Sequence, residues 1–364
     1  MLNDVASEMV VPLLPVFLAR TLGGGATAVG AIEGTAALVA SLLKWAVGWW
    51  SDRTGVTRPF VLGGYVLAGA SRPFLALATA PVHVLIVRVT DRIGKGLRSA
   101  PRDALLAASV DADQRGTAFG FHRSMDHLGA AIGPAIALVV LTFWTKDLRT
   151  LFLLAVIPGL LAAIAPWFTV EAKVEAPAAG SSAGRIDRRV WRVLVPIGLV
   201  TLGTASDSFL MLKAGIADTT PIEALPALWV VLHLVRTAVA TPGGWLADRM
   251  SPRGIVSIGW AIRVAVFIGL AAATSPAAGG VGIVAYGFAG LSEGAEKKLV
   301  GAYADAESRG ATFGAYYAVI GVMTLPASLG FGLVWDHVGP GAAFSLSASV
   351  IAAALAALWA TRDA

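Results

Sequence analysis

Long apolar segments fill this chain, and short polar stretches, many with glycine or proline, separate them. A helix needs ~20 mostly apolar residues to cross the hydrocarbon core of a membrane. Twelve such segments can be laid out, at residues 1–20, 27–50, 59–79, 81–108, 116–141, 148–169, 190–213, 224–246, 254–274, 279–302, 311–334 and 341–361. The pattern predicts an all-α membrane protein with twelve transmembrane helices, which we number span 1 to span 12.

A single linker-like stretch interrupts the series after span 6. Residues 170–189 are rich in alanine, proline, glycine, serine and charged residues, a composition typical of a flexible connection. This stretch separates six spans from six. We therefore predict an N-terminal six-helix bundle at residues 1–169, a linker at residues 170–189 and a C-terminal six-helix bundle at residues 190–364.

Two loop patterns occur once in each half. Gly48-Trp-Trp-Ser-Asp52-Arg53 ends span 2, and Gly244-Trp-Leu-Ala-Asp248-Arg249 ends span 8. The pattern that begins Asp-Ala-Asp-Gln-Arg-Gly at residue 111 returns as Asp-Ala-Glu-Ser-Arg-Gly at residue 305. A membrane chain with two similar halves is typical of transporters that work by alternating access, in which the halves rock about a central site. We predict two pseudo-symmetric bundles of this kind.

Composition supports a membrane location. The chain is 56% apolar and 14% charged, whereas soluble domains carry roughly 25% charged residues. The net charge of +5 could indicate a nucleic-acid partner. We predict none, because lysine and arginine gather in short loops, as membrane topology requires. They are in excess on the side of the duplicated loops and the linker, so we predict that this side is cytoplasmic in a multi-pass protein of a bacterial inner membrane.

Several kinds of chemistry are not expected. The chain has no cysteine, which excludes disulfides and cysteine-ligated metals, and its five histidines are not clustered with acidic residues. We predict no metal site and no cofactor, with a proton gradient as the energy source. No nucleophile–base pattern is present, so we do not expect an enzyme.

The beginning of the chain is unusual for a transmembrane segment. It lacks the basic start and small-residue cleavage site of a signal peptide, so none is predicted. Asn3, Asp4 and Glu8 lie where span 1 should be apolar. The ~20-residue requirement for a span makes us expect that span 1 begins upstream of Met1.

Three motifs together resemble the major facilitator superfamily (MFS). They are the loop from Gly48 to Arg58, the Arg92-Ile-Gly-Lys95-Gly96 sequence in span 4, and the span-5 pattern Gly120, Gly129, Gly133 and Pro134. The resemblance covers essentially the whole chain and implies the MFS fold, a small-molecule substrate and membrane lipids as partners. In the family, the span-5 pattern is associated with antiporter-type exporters, although its closing Gly-Gly is Ala137-Leu138 in this chain. We expect a monomer.

The resemblance implies a conformational latch in the duplicated loop, with candidate residues Gly48, Asp52, Arg53, Arg58, Asp248 and Arg249. Asp52 can face the positive N-terminus of span 11. Arg53 and Arg58 can pair with carboxylates or lipid phosphates. The alternative is a charged loop that only sets topology.

Spans 4 and 5 carry charges at membrane depth. Each costs roughly 2.5–3.5 kcal/mol at the bilayer centre on insertion scales, so such residues face a cavity or a partner. The candidates are Arg92, Arg98 and Arg102 on span 4 and His122 and Asp126 on span 5. We predict an Arg98–Asp126 pair with His122 as a titratable neighbour. Either proton coupling or a fixed structural ion network would explain it.

Carboxylates in other spans complete the candidate site. Glu8 in span 1 corresponds to Asp207 in span 7, and the resemblance places both spans on the central path. They are candidates for substrate or proton binding, with local hydrogen bonding as the alternative. Glu293 and Glu296 in span 10 occupy the places of Ser99 and Arg102 in span 4. This opposite charge favours a salt-bridge gate between the halves or a zwitterionic substrate.

Taken together, these features predict a secondary active transporter, with proton-coupled efflux of a small organic solute or drug as the favoured function. Uptake of a small anionic metabolite is the alternative, motivated by the basic span 4. A hypothesis from another class is a non-transporting sensor or lipid-handling protein. A sensor would need a sizeable soluble domain, and no long polar stretch is present to build one.

Overall fold

The computed structural model describes residues 2–54, 58–108, 110–111, 114–164, 188–204, 206–215, 220–303 and 309–361. All regular structure in these ranges is helical. Most of the predicted linker lies outside the described residues.

The first six predicted spans correspond to helices of unequal regularity. Their bounds are Leu2–Glu8, Leu14–Val16 and a π-helical turn Phe17–Thr21 for span 1, Ala26–Thr54 for span 2, Arg58–Ser71 with a 3-10 turn Arg72–Leu77 for span 3, Pro81–Ala108 for span 4, Arg115–Phe143 for span 5, and Leu148–Leu154 with Val156–Ile164 for span 6.

The second six follow a similar plan. Their bounds are a 3-10 turn Arg188–Val190, Trp191–Gly203 and Ser208–Gly215 for span 7, Ala224–Arg249 for span 8, Pro252–Ala272 for span 9, Pro276–Tyr286, a 3-10 turn Gly287–Leu291 and Ser292–Gly301 for span 10, Arg309–His337 for span 11, and Pro340–Ala360 for span 12.

Seven of these spans are long and apolar enough to cross a membrane by length and composition, namely spans 2, 5, 7, 8, 9, 11 and 12. The other five are broken, short or charged. Spans 1, 3, 6 and 10 are interrupted helices, and span 4 is 28 residues long but strongly amphipathic. Span 7 is also interrupted, between Gly203 and Ser208. Interrupted helices at membrane depth are tolerated where the freed backbone groups are buried in protein.

The two halves meet along two long helix pairs. Span 2 packs against span 11, and span 5 packs against span 8. Small residues allow the backbones to come close, as is usual between membrane helices. A Cβ atom at Gly30 would lie 2.2 Å from the Ser328 carbonyl oxygen, and one at Gly244 would lie 2.0 Å from the Gly116 carbonyl oxygen. Both helix pairs therefore depend on glycine.

Candidate functional site

The ends of the two helix pairs define the two sides of the molecule. The loop side is the side where span 8 ends and span 5 begins, near Asp248 and Gly116. The opposite side is where span 11 ends and span 2 begins, near Asp336 and Ala26.

On the loop side, Asp248 binds the N-terminus of span 5. Its carboxylate accepts hydrogen bonds from the backbone N–H groups of Gly116 (3.0 Å) and Thr117 (2.7 Å) and from the Thr117 hydroxyl (2.6 Å). Lys298 of span 10 donates to the same carboxylate at 2.6 Å. The negative charge thus lies at the positive end of a helix of the other half. This is the relation predicted for its repeat counterpart, Asp52, and span 11.

The remaining latch candidates are described only in part. The structure does not describe the surroundings of Gly48 or the side chains of Asp52, Arg53 and Arg58. The contact between Asp52 and span 11 therefore stays a prediction. The Arg249 guanidinium lies 3.8 Å from the centre of the Trp245 ring on its own helix. Such a cation–π contact holds the arginine against span 8.

On the opposite side, Asp336 has the corresponding role. Its carboxylate accepts from the backbone N–H groups of Ala26 (3.0 Å) and Thr27 (2.8 Å), at the N-terminus of span 2. Lys146, after span 5, pairs with Glu223, which precedes span 8. The hydrogen bond from Lys146 lowers the pKa of the Glu223 carboxyl. These contacts were not predicted, because none of the repeated sequence patterns lies on the opposite side.

A first buried ion network joins spans 1 to 4. Arg72 donates to Asp91 at 2.9 and 2.6 Å and to the side-chain oxygen of Asn3 at 3.1 Å. Arg88 forms a bidentate pair with Glu33, at 2.9 and 2.8 Å. The four charged side chains are at most 10% exposed. All of these residues belong to one half, and we call this set the N-half network.

A second, partly buried cluster crosses between the halves. Arg123 of span 5 donates to Glu293 of span 10 at 2.6 Å, and Nε2 of His127 lies 3.2 Å from the same carboxylate oxygen. Nδ1 of His127 lies 3.1 Å from Nδ1 of His233, on span 8. We call these four residues the cross-half cluster. A rocking motion of the halves would have to separate its members.

The predicted Arg98–Asp126 pair is not described, because the side chains of Arg98 and Arg102 lie outside the described residues. Among the described contacts, Asp126 lies 3.6 Å from His122 and 3.8 Å from Arg123, all on span 5.

The predicted carboxylates of the central path have separate partners. Glu8 accepts a hydrogen bond from the indole N–H of Trp229 at 3.1 Å, which joins span 1 to span 8. Asp207 accepts from Arg236 at 2.6 Å, within the second half. Glu296 accepts from the Tyr316 hydroxyl at 3.0 Å. Arg92 lies 4.0 Å from Glu33, at the edge of the N-half network. Of the predicted residues, only Glu8 and Glu293 have described side-chain contacts across the halves at mid-span.

The span-5 pattern lies at helix contacts. A Cβ atom at Gly120 would lie 2.5 Å from the Ala240 carbonyl oxygen of span 8, and one at Gly133 would lie 2.3 Å from the Val5 carbonyl oxygen of span 1. Gly129 and Pro134 are buried, and the helix continues through the proline. The small residues therefore let span 5 approach spans 1 and 8 closely.

Sequence reasoning did not single out Trp229, His233 and Arg236 on span 8 as site residues. They are spaced three to four residues apart and share one face of the helix. This face carries a histidine and an arginine within a long apolar run, which is the signal that could have identified it.

Comparisons with known proteins agree with this architecture. The Major Facilitator Superfamily model matches residues 1–212. An uncharacterized MFS-type transporter of Methanocaldococcus jannaschii is 28% identical over 345 residues, covering 92% of this chain and 86% of that protein. A protein of Cupriavidus pinatubonensis named "Probable 4-methylmuconolactone transporter" is 32% identical over 164 residues, covering 44% of this chain and 37% of that protein.

The fold is also that of solved transporters. The crystal structure of the human organic anion transporter MFSD10 (TETRAN) matches with a TM-score of 0.71 and 16% identity, covering 98% of this chain and 96% of that one. The predicted fold class is thereby confirmed. Together, the family match, the full-length relative and the fold show that this chain belongs to the Major Facilitator Superfamily of membrane transporters.

Proposed function

We propose that this protein is a secondary active transporter that works by alternating access and exports a small organic solute in exchange for protons. The observation that carries the proposal is the cross-half cluster, in which Glu293 and two histidines lie between spans 5, 8 and 10. Buried ionisable groups are costly in a membrane and mark ion pathways and proton relays. Their place between the halves links a change of protonation to a change of conformation.

The physical link is the Arg123–Glu293 pair. When the halves separate at this point, both charges lose their partner, and breaking a partly buried pair is unfavourable. A proton on Glu293 removes one charge and weakens the pair before separation. Protonation thus lowers the cost of the rocking motion, which is the requirement for coupling.

Each half is proposed to move as a bundle, residues 1–169 against residues 190–364. Asp248 closes the loop side and Asp336 closes the opposite side, each by binding a helix N-terminus of the other half. The excess of lysine and arginine supports a cytoplasmic location for the loop side, in a bacterial inner membrane. The chain is proposed to work as a monomer.

Export is supported by the span-5 glycine pattern, and an organic solute as substrate is supported by the names of two relatives. Besides the Cupriavidus protein named for a lactone, a further partial match is named as a multidrug resistance protein. Uptake of an anionic metabolite is the second candidate. It is supported by Arg92, which is 19% exposed and only loosely paired with Glu33, and can therefore pair with an anion.

The test uses everted membrane vesicles from a bacterial host that lacks its own exporters. A panel of organic solutes is added to energised vesicles, and proton movement is followed with a pH-sensitive dye. We expect some solutes to release protons through the wild type, and Glu293→Gln to lose this response. Glu223→Gln is the matched control, because it makes the same change outside the membrane.

Two results would redirect the proposal. Inward proton-driven accumulation of an anion in whole cells would favour uptake. A Glu293→Gln variant that is folded and still exchanges solute for protons would exclude the cross-half cluster as the coupling element.

A further inference from the structure

The hydrogen positions in the cross-half cluster can be deduced from its contacts. The Glu293 carboxylate is held by Arg123 and accepts from Nε2–H of His127. The Nδ1 atoms of His127 and His233 face each other at 3.1 Å, so one proton must lie between them. In a neutral imidazole only one nitrogen carries hydrogen. Nδ1 of His127 is therefore the acceptor, and Nδ1 of His233 is the donor.

This assignment leaves Nε2 of His233 without hydrogen. The atom is buried and has no hydrogen-bond partner among the described residues. His233 as a whole is 5% exposed. A buried acceptor without a partner is costly, and such an atom usually marks a site that a ligand or water completes. The structure thus presents one bare acceptor at the junction of the two halves.

Within the histidine pair, an additional proton has one place to go. Nε2 of His127 already carries hydrogen, and the Nδ1 pair already shares one. The added proton therefore binds Nε2 of His233, where a new N–H bond forms and no other bond breaks. The histidine pair becomes singly positive, and the bare acceptor becomes a donor. One proton thus changes Nε2 of His233 from a hydrogen-bond acceptor to a donor.

The surroundings of His233 suit an organic solute. The Trp229 ring lies 5.0 Å from the His233 ring and is joined to Glu8 of span 1. The charged groups that face His233 are Arg236 on its own helix, Arg123 on span 5 and Glu293 on span 10. Each of them is already paired, Arg236 with Asp207 of span 7. Among these described groups, the acceptor without a partner is therefore Nε2 of His233, beside the Trp229 ring.

We propose that Nε2 of His233 is the point where proton and solute compete, and that the solute is a neutral or cationic organic molecule with an N–H or O–H donor and a flat apolar part. The unprotonated pair accepts the hydrogen bond of the solute. The protonated pair presents a donor and a positive charge, and expels it. This inference rests on the proposed exchange of solute for protons and names its binding group and substrate class.

The first experiment determines the tautomers. Protein with ¹⁵N-labelled histidine is purified in detergent, and its side-chain nitrogen spectrum is recorded from pH 5 to pH 9, with His127→Gln and His233→Gln to assign signals. At high pH we expect His233 to carry hydrogen on Nδ1 and His127 on Nε2. At low pH both rings should change together as one proton enters. An Nε2–H tautomer of His233 at high pH, or independent titration of the two rings, would overturn the proposal.

The second experiment tests the ligand class. Ethidium, a planar cation with two aromatic amino groups, is compared with tetraphenylphosphonium, a cation without an N–H donor. Protonation should weaken ethidium binding about tenfold and tetraphenylphosphonium binding much less. In His233→Gln this difference should disappear. The lack of ethidium binding at any pH, or equal effects on both cations, would overturn the substrate class.

These outcomes are separate from those of the vesicle assay. If the tautomers and the ethidium result are as expected but no solute moves protons, the proposed site at His233 is supported and the proposed exchange of solute for protons is rejected. If exchange occurs with the opposite tautomers, the exchange function stands and this site fails.

Discussion

Two ion networks inside this molecule have similar chemistry, one buried and one partly buried, and we propose different roles for them. The N-half network joins Arg72, Asp91, Arg88 and Glu33 within spans 2 to 4, and each charge has a short partner on a helix of its own half. The cross-half cluster joins helices of both halves, and one nitrogen in it lacks a hydrogen-bond partner among the described residues. In the proposed rocking motion, a network inside one half would be preserved, whereas a network between the halves would have to break and form again.

The comparison separates residues that hold the fold from residues that change with the transport cycle. Both networks contain charges that are costly in the membrane. Burial and charge alone therefore do not identify a coupling site. The deciding features are whether the partners lie on both sides of the moving junction and whether a group is able to titrate.

The largest effect on stability is expected from the N-half network. Asp91→Asn leaves Arg72 with an uncompensated buried charge, which costs about 3–5 kcal/mol, while Arg88 keeps its pair with Glu33. We expect a marked loss of folded protein and a lower Tm in detergent. Asp126→Asn is the control, because it makes the same change at a carboxylate that is 26% exposed, whereas that of Asp91 is 3% exposed. Equal Tm values for the two variants would contradict the distinction.

A medium effect is expected from the two aspartates that bind helix N-termini. Asp248→Ala should destabilise the closed form of the loop side, and Asp336→Ala the closed form of the opposite side. Each change should cost about 1 kcal/mol, the usual cost of removing a helix N-terminal cap. Because the chain has no cysteine, single introduced thiols can report accessibility. We suggest Ser124→Cys between spans 5 and 8 and Ser328→Cys between spans 11 and 2, labelled with a polar thiol reagent.

The expected results are opposite in sign. Asp248→Ala should speed labelling at position 124 and slow it at position 328, and Asp336→Ala should do the reverse. If both variants speed labelling at both positions, the aspartates only hold the structure together and do not select a conformation.

The smallest effect is expected from the Lys146–Glu223 pair, since Lys146 is 71% exposed. Lys146→Ala should lower stability by less than about 1 kcal/mol. The pKa of Glu223 is lowered in the folded protein, so the contribution is present above the unfolded pKa of about 4.3 and is lost as the pH falls through the folded value. Unfolding at pH 7 and pH 3 should show a smaller difference between wild type and variant at pH 3 than at pH 7. A large loss at both values would exclude an ionic origin.

Much of the fold was predictable from the sequence because membrane helices leave a long apolar signal. The interruptions of spans 1, 3, 6, 7 and 10 were not predictable, since a break such as that between Tyr286 and Ser292 involves apolar and small residues that also occur in continuous helices. Tertiary packing decides such breaks.

The site was predictable only where the duplication made a residue visible. Asp248 was found through its repeat counterpart, and Glu293 because it occupies the place of Ser99 in the repeat-equivalent, basic span 4. His233 has no charged repeat partner and lies in an apolar run, so its sequence context resembles that of a core histidine. Asp336 was missed because its partners are backbone N–H groups of a helix that begins some 310 residues away, and no short-range pattern encodes such a contact.

The central claim is that protonation of the cross-half cluster moves one half against the other while the N-half network stays intact. The most direct measurement is spin–spin distance by pulsed electron resonance in lipid. Two pairs of labels on the opposite side suffice. Thr79→Cys with Thr274→Cys spans the halves, and Thr79→Cys with Trp144→Cys lies within one half. All three positions are exposed. We expect a change from pH 8 to pH 5 to alter the distance between positions 79 and 274 but not the distance between positions 79 and 144. We expect Glu293→Gln to abolish this change. An unchanged distance between positions 79 and 274, or an equal change between positions 79 and 144, would contradict a movement of one half against the other.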